Sequence, residues 1–316
     1  MTNSLKFRED GTFKIVQFTD LHWQNGNEED GLTGALMEQV LDAEKPDFVA
    51  FTGDIIYGLG CDDPLKALRQ AVEPVVSRGI PWAGVLGNHD AERNTKATRE
   101  EVLQGLMAIP GSLTGHTPGI TGYGNYELAV QGRDGSVASV LYFLDTGEYS
   151  PISSVVSGYS WLRHDQIDWY RKTSRRYTES NDGNPLPSLA FFHIPLPEHD
   201  EVWQRGGCRG QRHEDVCCGK VNSGFFASMA EMGDVMGVFT GHDHVNDYAG
   251  TLFGITLSYG RATGYHTYGK EGFPRGARII NLTEGQRAYE SWLRLDDGTV
   301  DRQELLEEKE GTLSEA

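Results

Sequence analysis

Three features of this 316-residue sequence predict an α/β fold built on a mainly parallel sheet. Apolar runs of strand length alternate with amphipathic helix patterns. Each early run ends in a polar cluster, and those clusters recur at a constant interval. No apolar run approaches the ~18 residues that a membrane span requires. Alternation of this kind is the signature of βαβ units.

The N-terminal third repeats one unit. The run FKIVQF (13–18) ends in Thr19-Asp20 and precedes a helix pattern with Leu32, Leu36 and Val40 on one face. The run DFVAFTGD ends at Asp54 and precedes a pattern with Leu65, Leu68, Val72 and Val75. The run WAGVLGNHD ends at Asn88 to Asp90, before Val102, Leu106 and Ile109. Asp20 to Asp54 is 34 residues, and Asp54 to Asn88 is again 34. Each cluster therefore falls at the C-terminal end of a buried strand, the edge where open α/β sheets place ligands.

The middle of the chain reads differently. Segments 125–131 and 138–144 flank Gly132-Arg133-Asp134-Gly135 as a hairpin, 164–178 as a helix and 179–187 as a polar connector. The strand LAFFH delivers His193, and GVFTGHDH ends in His242 and His244. Between them, residues 197–221 form a long stretch rich in glycine, cysteine and charge, expected to be irregular and to set specificity through Trp203, Arg205 and Arg209, or to be ordered by its cysteines for stability alone. From Tyr248 to about Leu295 the pattern alternates as strands, and from Asp296 the acidic tail reads as a short helix or a frayed end. No boundary separates two domains. One domain over 1–316 is expected, with its core over about 13–295 and a tail over 296–316.

Composition narrows the function. Acidic residues outnumber basic ones 46 to 28, for a formal charge of −18, which repels nucleic acid and anionic membranes. The first residues lack the basic-then-apolar pattern of a secretory signal, which favours the cytoplasm. Cys61, Cys208, Cys217 and Cys218 are too few for a disulfide scaffold and fit no zinc ribbon. Free thiols are expected, with pairing of Cys208 to Cys217 or Cys218 as the alternative in an exported protein.

Five strand ends then supply polar side chains: Asp20 and His22, Asp54, Asn88 with His89 and Asp90, His193, and His242 with His244. Residues two apart on a strand share a face, so Asp20 and His22 point together, as do His242 and His244. Imidazole, carboxylate and amide oxygen form a donor set suited to Mn, Fe or Zn. Two of the seven candidate ligands (Asp20, His22, Asp54, Asn88, His193, His242, His244) are carboxylates, so two divalent ions would leave the site about +2. Bound metal thus reconciles an acidic protein with a phosphate-handling site.

In this order, Asp-x-His, Gly-Asp, Gly-Asn-His-Asp, an isolated strand-end His and Gly-His-x-His resemble the calcineurin-like metallophosphoesterase superfamily over about residues 13–290. The resemblance implies a four-layer α/β/β/α sandwich of two mixed sheets flanked by helices. It implies that Asp20, His22, Asp54 and His244 hold one metal, that Asp54 bridges, and that Asn88, His193 and His242 complete the other. FFHIPLPEH (191–199), NSGFF (222–226), GDVMGVFTGHDHVNDY (233–248) and YGRATGYHTYG (259–269) resemble a purple-acid-phosphatase-like subgroup. One departure stands out. Purple acid phosphatases place an iron-ligating tyrosine where Tyr57 lies, yet His22 already supplies a ligand that those enzymes lack. Tyr57 is therefore left as a partner near His89, a packing residue or a ligand.

The implied activity is phosphomonoester hydrolysis. A water or hydroxide held by the ions would attack phosphorus, and His89 would protonate the leaving alkoxide. A phosphodiesterase acting on cyclic nucleotides or phospholipid-type diesters uses the same ligands. A binding scaffold without catalysis is the third reading. Asp90 could orient His89, and Arg261 is either a second anion contact or a surface residue in a turn. His199 and His266 could line the cleft. A small phosphoester is the expected partner, with no nucleic acid.

Overall fold

Period-two alternation in the first long strand already sets two layers. Phe13 and Ile15 face one apolar core, and Val16 and Phe18 face another. The computed structural model describes residues 4–303. In chain order the first half comprises β1 (Leu5–Lys6), β2 (Thr12–Phe18), α1 (Glu28–Glu44), β3 (Phe48–Thr52), α2 (Pro64–Val76), β4 (Trp82–Val85), α3 (Arg99–Ala108), β5 (Tyr126–Gln131) and β6 (Val137–Phe143). There follow α4 (His164–Ser180), β7 (Ser188–Phe191), α5 (Glu198–Arg205), α6 (Phe225–Met232), β8 (Val235–Thr240), β9 (Ala249–Leu252), β10 (Ile255–Tyr259), β11 (Gly276–Thr283), β12 (Tyr289–Leu295) and β13 (Val300–Asp301).

Two mixed sheets result. One is ordered β13-β12-β11-β2-β3-β4, the other β1-β5-β6-β7-β8-β10-β9. Within them β2, β3 and β4 run parallel, as do β6, β7, β8 and β10. The sheets pack face to face through Phe13, Ile15, Phe48 and Val85 on one side and Phe143, Phe191 and Phe239 on the other. Phe191 stacks between Phe143 and Phe239 at centroid distances of 5.1 and 5.4 Å, within the range in which offset rings attract. Helices α1 to α3 cover the outer face of the first sheet and α4 to α6 that of the second. The arrangement is an α/β/β/α sandwich of two mixed sheets flanked by helices.

Local signals explain the helix starts. Asn27 and Asp30 form a capping box on α1, Thr98 and Glu101 do so on α3, and Asp63 caps α2 ahead of Pro64. Leu32 departs from the expected pattern: it is about half exposed, and α1 buries Thr33, Leu36, Met37, Val40 and Leu41 instead. The core also begins earlier than residue 13, since Leu5 and Phe7 are buried between the sheets. Residues 197–221 are not irregular throughout, because Glu198–Arg205 is helical. At the far end, Val300–Asp301 adds an edge strand to β12 where a short helix or a frayed end was the expectation. The rest of the expected tail, from 304, lies outside the described residues.

One buried polar side chain ties the sheets together. Gln17 Nε2 donates to Thr52 Oγ1 at 2.8 Å and to the Thr240 carbonyl at 2.9 Å, linking β2, β3 and β8 just below their C-terminal ends. Above it, Gly264 N donates to the Asp20 carbonyl at 3.1 Å. A side chain at Gly264 would overlap the main chain of Asp20 and Leu21, which has no flexible end to yield. Gly264→Ala is expected to cost about 1–3 kcal/mol, the scale of overpacking in a dense interior. Urea unfolding measures it, and an unchanged midpoint would contradict this account of the close approach.

Candidate metal centre

The parallel strands of both sheets end on one edge, and the polar clusters meet there. Asp20 follows β2, Asp54 follows β3, Asn88 follows β4, His193 follows β7 and His242 follows β8. Past the strand ends the pairing persists: Asp20 N donates to the Gly53 carbonyl at 3.1 Å and His22 N to the Asp54 carbonyl at 2.9 Å. These residues turn sharply. Asp20, His22, Asp54 and His242 have φ of 53°, 49°, 47° and 79°, the left-handed region that side-chain-bearing residues seldom occupy. Such backbone strain concentrates at functional sites.

The side chains converge in two groups that share Asp54. One potential ligand atom from each of Asp20, His22, Asp54 and His244 lies within 4.8 Å of the others, and the same holds for Asp54, His193 and His242. Asp54 divides its oxygens: Oδ1 accepts from the His89 main chain at 2.7 Å, while Oδ2 sits 3.5 Å from His22 Nε2 and 3.2 Å from His193 Nε2. Asn88 Oδ1 is 3.2 Å from His193 Nε2. His193 Nδ1 is 2.8 Å from the Thr52 carbonyl, which can only accept. That bond fixes the proton on Nδ1 and leaves Nε2 aimed at acceptors.

Electrostatics follow from burial and from these neighbours. Burial opposes ionisation of Asp20, but His244 and His193 outweigh it and bring its pKa down to about 2. Burial likewise works against Asp54, and His193 and His22 hold it well below the usual carboxylate range. Burial drives His22 and His242 down to about 3, so both imidazoles are neutral and able to donate a lone pair. For His193 burial also disfavours charge, yet Asp54 and Asp20 prevail and raise it to about 9.

The chemistry of the donors fits a pair of metal ions. His22 Nε2, Asp54 Oδ2 and His242 Nε2 are buried with no hydrogen-bond partner. Buried polar atoms are rarely left so, and a cation is the partner common to all three. Glycine permits the crowding: a Cβ on Gly87 would overlap the Asp54 carboxylate and main chain.

His89 stands at the rim of this cluster, its ring 5.3 Å from that of His22. The sequence reading missed its partner. His89 Nδ1 lies 2.7 Å from Glu92 Oε1, and Tyr149 Oη donates to Glu92 Oε2 at 3.2 Å. Glu92 three residues on, across a turn, is the signal that was there to read. Asp90 does not serve His89. Its carboxylate is fully buried and accepts from Ile56 N and Gly87 N, bracing the turn that carries Asn88. Burial and then the Asp54 charge push it up to about 6.

Tyr57 packs its ring edge-on to His89 at 5.6 Å and tilted to His22 at 6.2 Å. Three further aromatics escaped sequence reading: Tyr149 and Tyr159 lie in no motif, and Tyr268 lies in the 259–269 stretch without a pattern that marks it. Tyr159 meets His242 at 4.3 Å, Tyr149 stacks on Tyr159 at 5.7 Å, and Tyr268 stacks on His244 at 4.2 Å.

Arg261 is corrected on both of its readings. It is buried, paired with Asp247, and donates to the Pro274 carbonyl at 2.6 Å, so it is neither an anion contact nor a surface residue. His199 is fully buried against Tyr259, and burial lowers it to about 3, so it belongs to the core and not to a cleft. His266 bonds Asn27 and Gln24 near the start of α1. Trp203 packs on Tyr248, and Arg205 pairs with Glu201. From the same stretch Glu214 accepts from Tyr268 Oη at 2.7 Å, bringing that loop to His244. All four cysteines are free thiols. Among the described residues no helix is long and apolar enough to cross a membrane.

Comparison with known proteins agrees with this architecture. The family described as calcineurin-like phosphoesterase matches residues 13–246. Probable inactive purple acid phosphatase 29 of Arabidopsis thaliana is 37% identical over 333 residues, spanning 93% of this chain and 85% of the plant protein. Phosphatase DCR2 of Saccharomyces cerevisiae is 34% identical and covers 92% of this chain and 55% of the yeast protein. A dimetal phosphatase from Danio rerio superposes with a TM-score of 0.62 at 13% identity, over 93% of this chain and 98% of that one, a likeness of fold alone. The chain belongs to the calcineurin-like phosphoesterase family, and its relatives are purple-acid-phosphatase-like proteins.

Proposed function

We propose that this protein is a dinuclear-metal phosphoester hydrolase that acts on phosphomonoesters. The observation that carries this reading is the convergence on Asp54 of two buried groups of ligand atoms, with His22 Nε2 and His242 Nε2 left without a hydrogen-bond partner. Asp20, His22, Asp54 and His244 would hold one ion; Asp54 would bridge to a second held by Asn88, His193 and His242. Mn, Fe and Zn suit these donors. When bound, two such ions supply Lewis-acid charge to the phosphoryl oxygens and activate water at neutral pH.

The chain's own groups do the rest. The Thr52 carbonyl holds His193 in the tautomer that presents Nε2 inward. His89, with Nδ1 held by Glu92, would present its other ring nitrogen to the leaving oxygen and deliver a proton as the P–O bond breaks. Asp54 Oδ1 fixes the His89 main chain, so the acid is anchored to the residue proposed to bridge the ions. The name of the yeast relative supports a phosphatase. The word inactive in the plant proteins' names supports binding without turnover as the second reading. Against it, this chain keeps all seven candidate ligands and His89.

Side-by-side assays separate the readings. Protein holding two metals per chain is expected to hydrolyse p-nitrophenyl phosphate faster than bis(p-nitrophenyl) phosphate, and to lose both activities on chelation. Two bound metals with no turnover of either ester would defeat the hydrolase assignment. His89→Asn is expected to lower kcat on alkyl phosphates by about 10²–10⁴-fold, the usual worth of a general acid, with metal content unchanged. Glu92→Gln should lower it less, and both losses should shrink for leaving groups that need no proton. Equal losses across leaving groups would remove His89 from the acid role.

Metal loading should also be linked to pH. His193 is raised to about 9 and so carries a proton at neutral pH that a metal must displace. Affinity is therefore expected to rise with pH up to about 9. Titration calorimetry in buffers of different ionisation enthalpy should register proton release at pH 7, and identical heats in all buffers would contradict it.

A further inference from the structure

A second cavity, of about 600 Å³, opens between β8 to β10 of one sheet and β11 to β13 of the other, lined by none of the metal-centre residues. Its charge is out of keeping with the protein. The chain carries −18 overall, yet Arg209, Arg278, Arg287 and Arg302 line this one cavity with Glu290 as the only carboxylate. Among the described residues, none of the four arginines forms an ion pair with a carboxylate, whereas ten other arginines do.

Arg278 is the most telling. It is 1% exposed, and its guanidinium is held entirely by neutral acceptors: the Tyr259 carbonyl at 2.6 Å, Ser291 Oγ at 3.0 Å, the Asp247 carbonyl at 2.5 Å and Gln303 Oε1 at 3.0 Å. Those bonds take four of its five hydrogens without neutralising its charge. A buried cation normally has a counter-charge. The Asp247 carboxylate is paired with Arg261, and it and Asp301 act on Arg278 only from a distance, without a direct contact among the described residues. Arg209, Arg287 and Arg302 are exposed around the opening; Arg287 donates to the Gly233 carbonyl at 2.7 Å and Arg302 lies over the Trp292 ring at 5.3 Å, so these two would turn from neutral contacts to reach a ligand.

We propose that this cavity is a binding site for a small organic polyanion, a molecule bearing two or more phosphate, sulfate or carboxylate groups, distinct from the metal centre. Guanidinium groups grip such groups in paired hydrogen bonds. The volume suits a ligand of nucleotide or sugar-bisphosphate size.

The test uses the full-length, metal-loaded protein and the fluorescent trisulfonate pyranine, which no phosphoesterase can hydrolyse. Saturable binding at one site per chain is expected, weakening at least tenfold in the Arg209→Ser, Arg287→Ser double variant and falling with added salt. His242→Ala, which disables the proposed metal centre, should leave it unchanged, so failure of the hydrolase reading would not be mistaken for failure here. Absence of saturable binding, or binding indifferent to the two arginines, would overturn the proposal. So would a full chain that ignores pyranine while a chain ending at Gln303 binds it, since the acidic residues beyond would then be the occupant.

Discussion

His193 faces a problem that the surrounding structure is arranged to resolve. Its Nδ1–H is spent on the Thr52 carbonyl, so its Nε2 confronts Asp54 Oδ2 and Asn88 Oδ1 at 3.2 Å each, with His242 Nδ1 also at 3.2 Å. Acceptors at that distance in a buried site repel unless a cation lies among them. A proton serves at one point, which is why His193 is held up to about 9. It cannot also serve the orphaned nitrogens of His22 and His242. Metal ions, with several open coordination positions each, can.

Holding these acceptors together has a structural cost of its own. Four of the seven candidate ligands adopt left-handed backbone, at about 1–2 kcal/mol each for residues with a side chain. Tight approach is needed as well: Gly87 and Gly241 leave room where a methyl group would meet Asp54 or Thr19 and Asp20. The rigidity that sustains this comes from below. All of β3 and β8 is buried, and Gln17 bonds both the first sheet at Thr52 and the second at Thr240. The inter-sheet stack of Phe143, Phe191 and Phe239 fixes the spacing of the two edges. A site shared by two sheets is only as well defined as the contact between them.

Charge is distributed with the same economy of position. His89 is flanked by Glu92 and the Tyr57 ring, while Tyr149 bonds the far oxygen of Glu92 and stacks on Tyr159. Four arginines with no carboxylate contact among the described residues line the cavity around Arg278. The protein thus separates two environments that a count of charges would average away.

Much of the fold and the site could be read from one dimension because the determinants are local. A strand run followed by an amphipathic helix, repeated at 34 residues, prescribes parallel strands with polar ends on one edge. Asp20, His22, Asp54, Asn88, His193, His242 and His244 were legible since each terminates such a run. Tyr149, Tyr159 and Tyr268 were not, because they reach the site from loops whose path depends on tertiary packing. The same reason explains the errors. Asp90 and Arg261 sit in suggestive sequence contexts, yet main-chain donors claim one carboxylate and Asp247 claims the other guanidinium. A short motif specifies which groups arrive at a strand end; which of them turn inward, and what they find there, is decided by the packing of one sheet against the other.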